Sequence, residues 1–139
     1  MTLTRSPDEI AQAFALEPDT LAGLNGKPLR PRFNVAPTQQ ILTVVGEGTH
    51  GRAFAWKKWG LVPSWAKDPS IGNRLINARA DTVAEKPSFR SAFKARRCLI
   101  VADGFYEWGG TPKRPHWFRP RDGAFLAMAG LHEHWLPKE

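Results

Sequence analysis

A single cysteine, Cys98, stands in 139 residues, too few for a disulfide framework. The opening run Met1-Thr2-Leu3-Thr4-Arg5-Ser6-Pro7 lacks the apolar segment of a secretory signal. Together these point to a cytoplasmic, reducing setting. No apolar stretch approaches the ~20 residues of a membrane helix, so no membrane partner is expected. There is no glycine-rich phosphate loop, because Gly104, Gly109 and Gly110 stand in strand and turn contexts without a following helix. His132 and His134 would share one face of a strand, yet no Cys, Asp or third His lies at ligand spacing and Glu133 points away. Neither a metal nor a cofactor is therefore expected. Acidic residues are also short: 13 Asp+Glu face 20 Lys+Arg, a formal charge of +7.

Apolar mass, by contrast, is ample. Hydrophobic residues make up 42% and aromatics 11%, with six Trp, enough to close one core over a single domain spanning residues 1–139. Charge is unevenly spread. Residues 1–28 carry two basic and four acidic side chains, a net of −2, while residues 52–97 carry eleven basic and three acidic, a net of +8. With Trp56, Trp59, Trp65, Phe89 and Phe93 interleaved, the basic stretch fits a face that grips phosphates and stacks bases. Composition alone favours the plainer reading of a solvated basic surface.

Local signals give the organisation. Ser6-Pro7-Asp8-Glu9 sets a hydroxyl cap, a first-turn Pro and a Glu three residues after the cap, predicting a short helix to about Leu16 with Ile10 and Phe14 on one face. Residues 17–32 lack periodicity and read as a connection. Residues 41–45 and 52–59, around Gly46-Glu47-Gly48-Thr49-His50-Gly51, predict a β-hairpin, followed by a loop that exposes Trp65. Residues 75–79 read as a strand with Leu75, Asn77 and Arg79 on one face, and residues 88–95 as a second short helix. Strands are expected at 98–102, 105–108, 116–118 and 125–131, with a turn at 109–112. The sum is an α+β fold, mostly antiparallel, with a few short helices.

Three groups could carry chemistry. Glu107 lies between Tyr106 and Trp108, where aromatic neighbours can desolvate a carboxylate and fit it for proton transfer; on the other reading it is the solvent face of an alternating strand. Asn77 and Arg79 pair a neutral amide with a permanent cation, which suits a phosphodiester or sugar oxygen, and suits equally an inter-strand ion pair and a turn amide. Cys98, inside Cys-Leu-Ile-Val-Ala, reads as a core thiol rather than a nucleophile. A small hydrolase built on Glu107 and a metal at His132 and His134 is the weakest reading.

Four stretches occur in one order: Phe33-Asn34-Val35-Ala36-Pro37-Thr38, Trp59-Gly60-Leu61-Val62-Pro63-Ser64-Trp65, Ile76-Asn77-Ala78-Arg79-Ala80-Asp81-Thr82 and Cys98-Leu99-Ile100-Val101-Ala102-Asp103-Gly104-Phe105-Tyr106-Glu107-Trp108. Over nearly the whole chain this pattern resembles the SOS response-associated peptidase domain, the abasic-site crosslinking proteins. The resemblance implies a barrel-like α+β domain that binds single-stranded DNA containing abasic sites, with no obligate protein partner. In that family an N-terminal cysteine condenses with the ring-opened sugar aldehyde, and the same residue underlies self-processing as a peptidase. The resemblance makes Glu107 the acid/base and gives Asn77 a catalytic place. It puts Asn34, Pro37, Trp65 and Arg79 on the DNA.

Two departures carry an expectation of truncation at both ends. The family pattern begins Met-Cys-Gly-Arg-aromatic-Thr-Leu-Thr where this chain has Met1-Thr2-Leu3-Thr4, and it continues past residue 131 to a His-Asp-Arg-Met-Pro motif that neither His132 nor His134 matches. The chain as written is thus expected to bind but not to crosslink. The alternative is a noncatalytic single-strand-binding remnant of the same family.

Overall fold

The computed structural model describes residues 1–22, 28–49 and 51–137. Ser6 caps α1, Pro7–Ala13: its hydroxyl accepts from the Glu9 N–H, and the Glu9 carboxylate accepts in return from the Ser6 N–H at 3.0 Å. Phe14 ends α1 as its C-cap. A second helical turn, α2 at Asp19–Ala22, interrupts what the sequence reads as plain connection; residues 23–27 of that connection, and His50 of the expected hairpin turn, lie outside the described residues.

Strands β1, Gln40–Glu47, and β2, Gly51–Lys58, form the expected hairpin and run longer than their β-branched cores. A 3₁₀ turn at Pro69–Asn73 and α3 at Arg90–Ala95 follow. Then come β3, Arg97–Ala102, β4, Phe105–Gly109, β5, Arg114–Phe118, and β6, Leu126–Leu131. The four-stranded sheet has the order β2-β1-β3-β6, antiparallel at every junction, and β4 and β5 form a separate two-stranded ribbon. Among the described residues the larger sheet ends at β2 and β6 without closing on itself, so the architecture is an open α+β sandwich of helix on sheet rather than a barrel.

One face of that sheet carries the core. Alternation puts Leu42 and Val44 of β1, Phe54 of β2 and Val101 of β3 together, under Ile10, Ala11 and Phe14 of α1. Phe14 meets Phe54 edge-on at 6.2 Å between ring centroids.

Residues 75–79 do not form a strand. They pass beside the loop after β2 and touch it by single bonds: the Leu61 N–H donates to the Leu75 carbonyl at 3.0 Å, and the Trp59 indole to the Ile76 carbonyl at 2.8 Å. The loop can come this close because Gly60 (φ 124°) lies against Gly72; a Cβ there would sit 2.4 Å from the Gly72 carbonyl oxygen. Residues beyond Arg79 turn at once, with the Thr82 and Val83 N–H groups donating back to the Arg79 carbonyl. No ladder forms, so the alternation that would align Asn77 with Arg79 is lost.

Candidate functional site

The N-terminal segment bridges the Asp103-Gly104 link between β3 and β4. Thr2 bridges Gly104 in antiparallel register, its N–H donating to the Gly104 carbonyl at 2.8 Å while the Asp103 N–H donates to the Thr2 carbonyl at 2.9 Å. The buried Asp103 carboxylate takes the remaining donors: the Thr2 hydroxyl at 2.5 Å on one oxygen, the Thr4 N–H at 2.5 Å and the Thr4 hydroxyl at 2.8 Å on the other. Burial would raise this carboxyl, but the Thr2 and Thr4 donors outweigh it and hold it below the usual carboxylate range. The Trp117 indole donates to the Thr2 hydroxyl at 3.1 Å, which ties β5 to the same node. Sequence reading missed Asp103 as an anchor. Its signal is the spacing of Thr2 and Thr4, two hydroxyls on one side of an extended segment, but nothing local names an acceptor about a hundred residues away.

From this root the ribbon projects with little cover. Glu107 is exposed in the middle of β4, opposite His116 of β5, and its neighbour Trp108 is 60% exposed. Of the two readings of Glu107, the structure has the solvent-facing one, with no aromatic enclosure among the described residues. Tyr106 reaches the other way, its hydroxyl donating to the Phe33 carbonyl at 3.1 Å. That bond sets the ribbon beside the segment that carries Asn34, which is exposed, and Pro37, which is half-buried.

The sheet face opposite the core, with the loops that follow β2, lines a groove of about 860 Å³. Register places Ile41 and Thr43 of β1, Lys57 of β2, Cys98 and Ile100 of β3 and Gly130 of β6 on this side. Gly130 is required here, since a Cβ would stand 2.8 Å from Ile100 Cδ1 and 3.0 Å from Cys98 Sγ. Burial pushes the Cys98 thiol up to about 11 against the pull of Lys57, which fits the reading of Cys98 as a core thiol. His132 is held below its ordinary value by burial, then by Lys57 and Arg96. Glu133 is paired, its carboxylate 2.8 Å and 2.9 Å from the Arg96 guanidinium, so the lysines and Arg97 leave the groove positive. His132 and His134 lie past the end of β6 rather than on a strand, and among the described residues no group of three or more metal-ligating side chains converges.

The other sequence-selected residues are dispersed. Asn77 lines the groove near Trp59; Arg79 lies outside its lining and pairs with Asp81 at 2.9 Å. Trp65 is 51% exposed and only weakly tied, its indole 3.4 Å from the Pro87 carbonyl. Of the five aromatics expected to form a stacking face, Phe89 is buried and Trp56 packs on the core. The indole of Trp59 is spent on Ile76, leaving Trp65 and Phe93 open. Glu107 and Asn77 thus occupy different surfaces, the ribbon and the groove.

Comparison with known proteins settles the family. All of residues 1–139 match the family described as SOS response associated peptidase (SRAP). The chain belongs to the SRAP family. It is 41% identical over 141 residues to the Abasic site processing protein YoqW of Bacillus subtilis, covering 99% of this chain and 61% of the relative. It is 35% identical to the Abasic site processing protein HMCES of Xenopus tropicalis, over 62% of this chain and 32% of the relative. The chain thus spans about three-fifths or less of the length of these SRAP relatives. A crystal structure of a Bordetella bronchiseptica protein shares the fold at TM-score 0.71 and 23% identity, over 94% of this chain and 61% of that one. Another, from Bacteroides thetaiotaomicron, gives a TM-score of 0.64 at 29% identity over 72% and 44%.

Proposed function

We propose that this SRAP chain processes abasic sites in single-stranded DNA within the DNA-damage response. Its 139 residues supply the binding framework and the acid/base Glu107, and the nucleophile is the N-terminal cysteine of the family pattern, which the 139-residue sequence does not contain. The observation that supports this most is the antiparallel bridge between Thr2 and Gly104. The bridge turns the chain ahead of Thr2 toward the edge of β4 that β5 leaves unpaired among the described residues; Met1 exchanges its own backbone bonds with Val35 on the other side, at 2.9 Å and 2.7 Å, and continued antiparallel register would set three further positions opposite Tyr106, Glu107 and Trp108. The family's Cys-Gly-Arg-aromatic would then run as a third strand, its glycine beside Glu107 and its cysteine one residue further, about 3.3 Å away.

The chemistry balances with these groups. A neutral α-amine attacks the sugar aldehyde, Glu107 protonates the departing hydroxyl, and water leaves as the imine forms. The cysteine thiol then adds to the imine carbon, its proton passing to the nitrogen, and closes a thiazolidine. Removal of a residue ahead of that cysteine is the peptidase step that exposes the amine. Cys98 does not serve, because its thiol is buried and held protonated. The 139 residues alone act as a binding module, the reading that the buried Cys98 favours.

The test compares the chain with a form in which Cys-Gly-Arg-Phe replaces Met1 and the C-terminal segment of a longer relative, with its His-Asp-Arg-Met-Pro motif, is appended. On an abasic single-stranded oligonucleotide, the extended form gives a denaturation-resistant crosslink. Changing the added Cys to Ala abolishes it, and Glu107→Gln slows it roughly 10²-fold or more. Equal crosslinking by the 139-residue chain overturns the proposal.

A further inference from the structure

The two edges of the four-stranded sheet differ in character. At one end β2 carries Arg52, Lys57 and Lys58, the kind of charged edge that resists a further strand. At the other end β6 reads Leu126-Ala127-Met128-Ala129-Gly130-Leu131, with no charge and no proline. Its ladder with β3 runs from Leu126 opposite Ala102 to Leu131 opposite Arg97, and just past it the His132 N–H donates to the Arg96 carbonyl at 2.9 Å. That bond fixes the phase of the ladder. In an antiparallel pair bonding residues alternate, so Leu126, Met128 and Gly130 turn their N–H and C=O toward β3, whereas Ala127, Ala129 and Leu131 turn theirs outward. Among the described residues no backbone group pairs with this outer side. Ala127 and Ala129 are also exposed, and their short side chains leave room for a neighbouring strand.

We propose that the outer edge of β6 pairs with the same edge of a second copy of this chain, antiparallel about a twofold axis at Ala129, so that two four-stranded sheets become one. Register and charge select this occupant. With Ala129 opposite its own copy, Ala127 faces Leu131 of the second copy and Leu131 faces Ala127 of the second copy. Every outward N–H and C=O of the strand then finds a partner, each pair exchanging two bonds. No cation of β6 meets its copy across this joint, whereas β2 paired with itself would crowd Arg52, Lys57 and Lys58 against their own copies. Pairing of β6 with β2 of another copy is head-to-tail and leaves a free edge at each end, while the twofold joint closes after one addition. The axis stands perpendicular to the sheet, so the two grooves open on the same side, and Gly130, which lines each groove, lies next to the joint.

Sedimentation velocity on the full 139-residue chain, free of nucleic acid and taken from low to high micromolar concentration, tests it. Monomer passes to dimer with no larger species, and added salt favours the dimer, because each copy carries a formal charge of +7. Residue-resolved amide hydrogen exchange gives the register: Ala127, Ala129 and Leu131 gain protection as concentration rises, while Met128 and Gly130 are protected throughout. Ala129→Lys sets two cations across the axis and raises the dissociation constant roughly tenfold or more, and Ala129→Glu does the same with two anions. Mixed in equal amounts, these two variants pair with each other. Ala129→Pro removes an outward N–H that the fold does not use, so the chain keeps its thermal transition and loses the dimer. A monomer throughout the concentration range overturns the proposal. So does growth beyond the dimer, the mark of β6 on β2, or a dimer whose outward amides exchange freely. Failure of the mixed Lys and Glu variants to associate overturns the axis at Ala129. If a variant does not fold, the exchange pattern of the unsubstituted chain decides.

Discussion

In the four-stranded sheet Leu42 and Val44 are 1% and 4% exposed, whereas in the ribbon Trp108 and Phe118 are 60% and 49%. Both regions are antiparallel, and both are rich in residues that favour strands. What separates them is a covering layer. The larger sheet has α1 laid across one face, so each alternate side chain adds to a shared core. Among the described residues the ribbon is tied by Thr2, Asp103 and Trp117 at its root and by the Tyr106 hydroxyl, and its rings gain no core. The first region shares a core; the second leaves its apolar area open among the described residues. Substitutions in the two should therefore differ in their effect on stability.

The largest effect is expected in the core. Leu42→Ala deletes a side chain packed between α1 and the sheet and leaves a cavity, which costs about 3 kcal/mol. Urea denaturation followed by far-UV circular dichroism measures this directly. A comparable loss from Phe118→Ala would break the comparison, because it would mean that the ribbon's half-exposed rings contribute to stability as the core does.

A smaller effect is expected at the node joining the regions. Asp103→Asn keeps the shape but turns one of the two accepting oxygens into an NH2 donor that faces Thr2 or Thr4, at a cost of about 1–3 kcal/mol at neutral pH. The sign with pH follows from the depressed folded-state pKa of Asp103. Its stabilisation is fully present above the ordinary carboxylate pKa of about 3.9 and is lost as pH falls through the lower folded value. The gap between wild type and Asp103→Asn should close in that acid window. A gap that stays constant from pH 7 to pH 3 would show that the carboxylate charge contributes nothing to the joint.

The way these regions appear in the sequence explains which parts of the fold were legible. Ser6-Pro7-Asp8-Glu9 encodes its helix within one turn, and the hairpin strands and β3 to β6 announce themselves by short β-branched or aromatic runs between glycines and prolines. Residues 75–79 carry the same kind of local pattern, but the close pass of Gly60 against Gly72 and the turn after Arg79 fix their path from outside the segment. The α2 and 3₁₀ turns are too short to show a period. Burial of the aromatics was not legible either: Phe89 and Phe93 are four residues apart on one helical stretch, yet Phe89 is 6% exposed and Phe93 39%. For the site, sequence pattern selects Glu107 and Asn77. Only the sheet topology separates them onto different surfaces, and only the long-range node of Thr2 with Asp103 reveals which edge of β4 is open.

The smallest stability effect, and the sharpest contrast with the core, is expected at Arg79. Its guanidinium pairs with Asp81 two residues on, holding that carboxyl below its usual range, but the two side chains are 77% and 59% exposed. Water and salt screen such a pair, so Arg79→Ala should leave the denaturation midpoint unchanged within error. Binding is another matter. If Arg79 holds a phosphate, Asp81 competes with that phosphate for the same guanidinium, and the two single variants should act in opposite directions. Arg79→Ala should weaken binding to a dT oligonucleotide and lower the slope of log affinity against log salt by roughly one ion. Asp81→Asn frees the guanidinium and removes a repulsive charge, so it should tighten binding at low salt. This gain should fade as the salt concentration rises and the screening length shortens. Anisotropy titrations at two salt concentrations separate the cases. Weaker binding by Asp81→Asn would mean that the carboxylate serves to orient Arg79 rather than to occupy it, and would move the pair from competitor to positioning element on the DNA path.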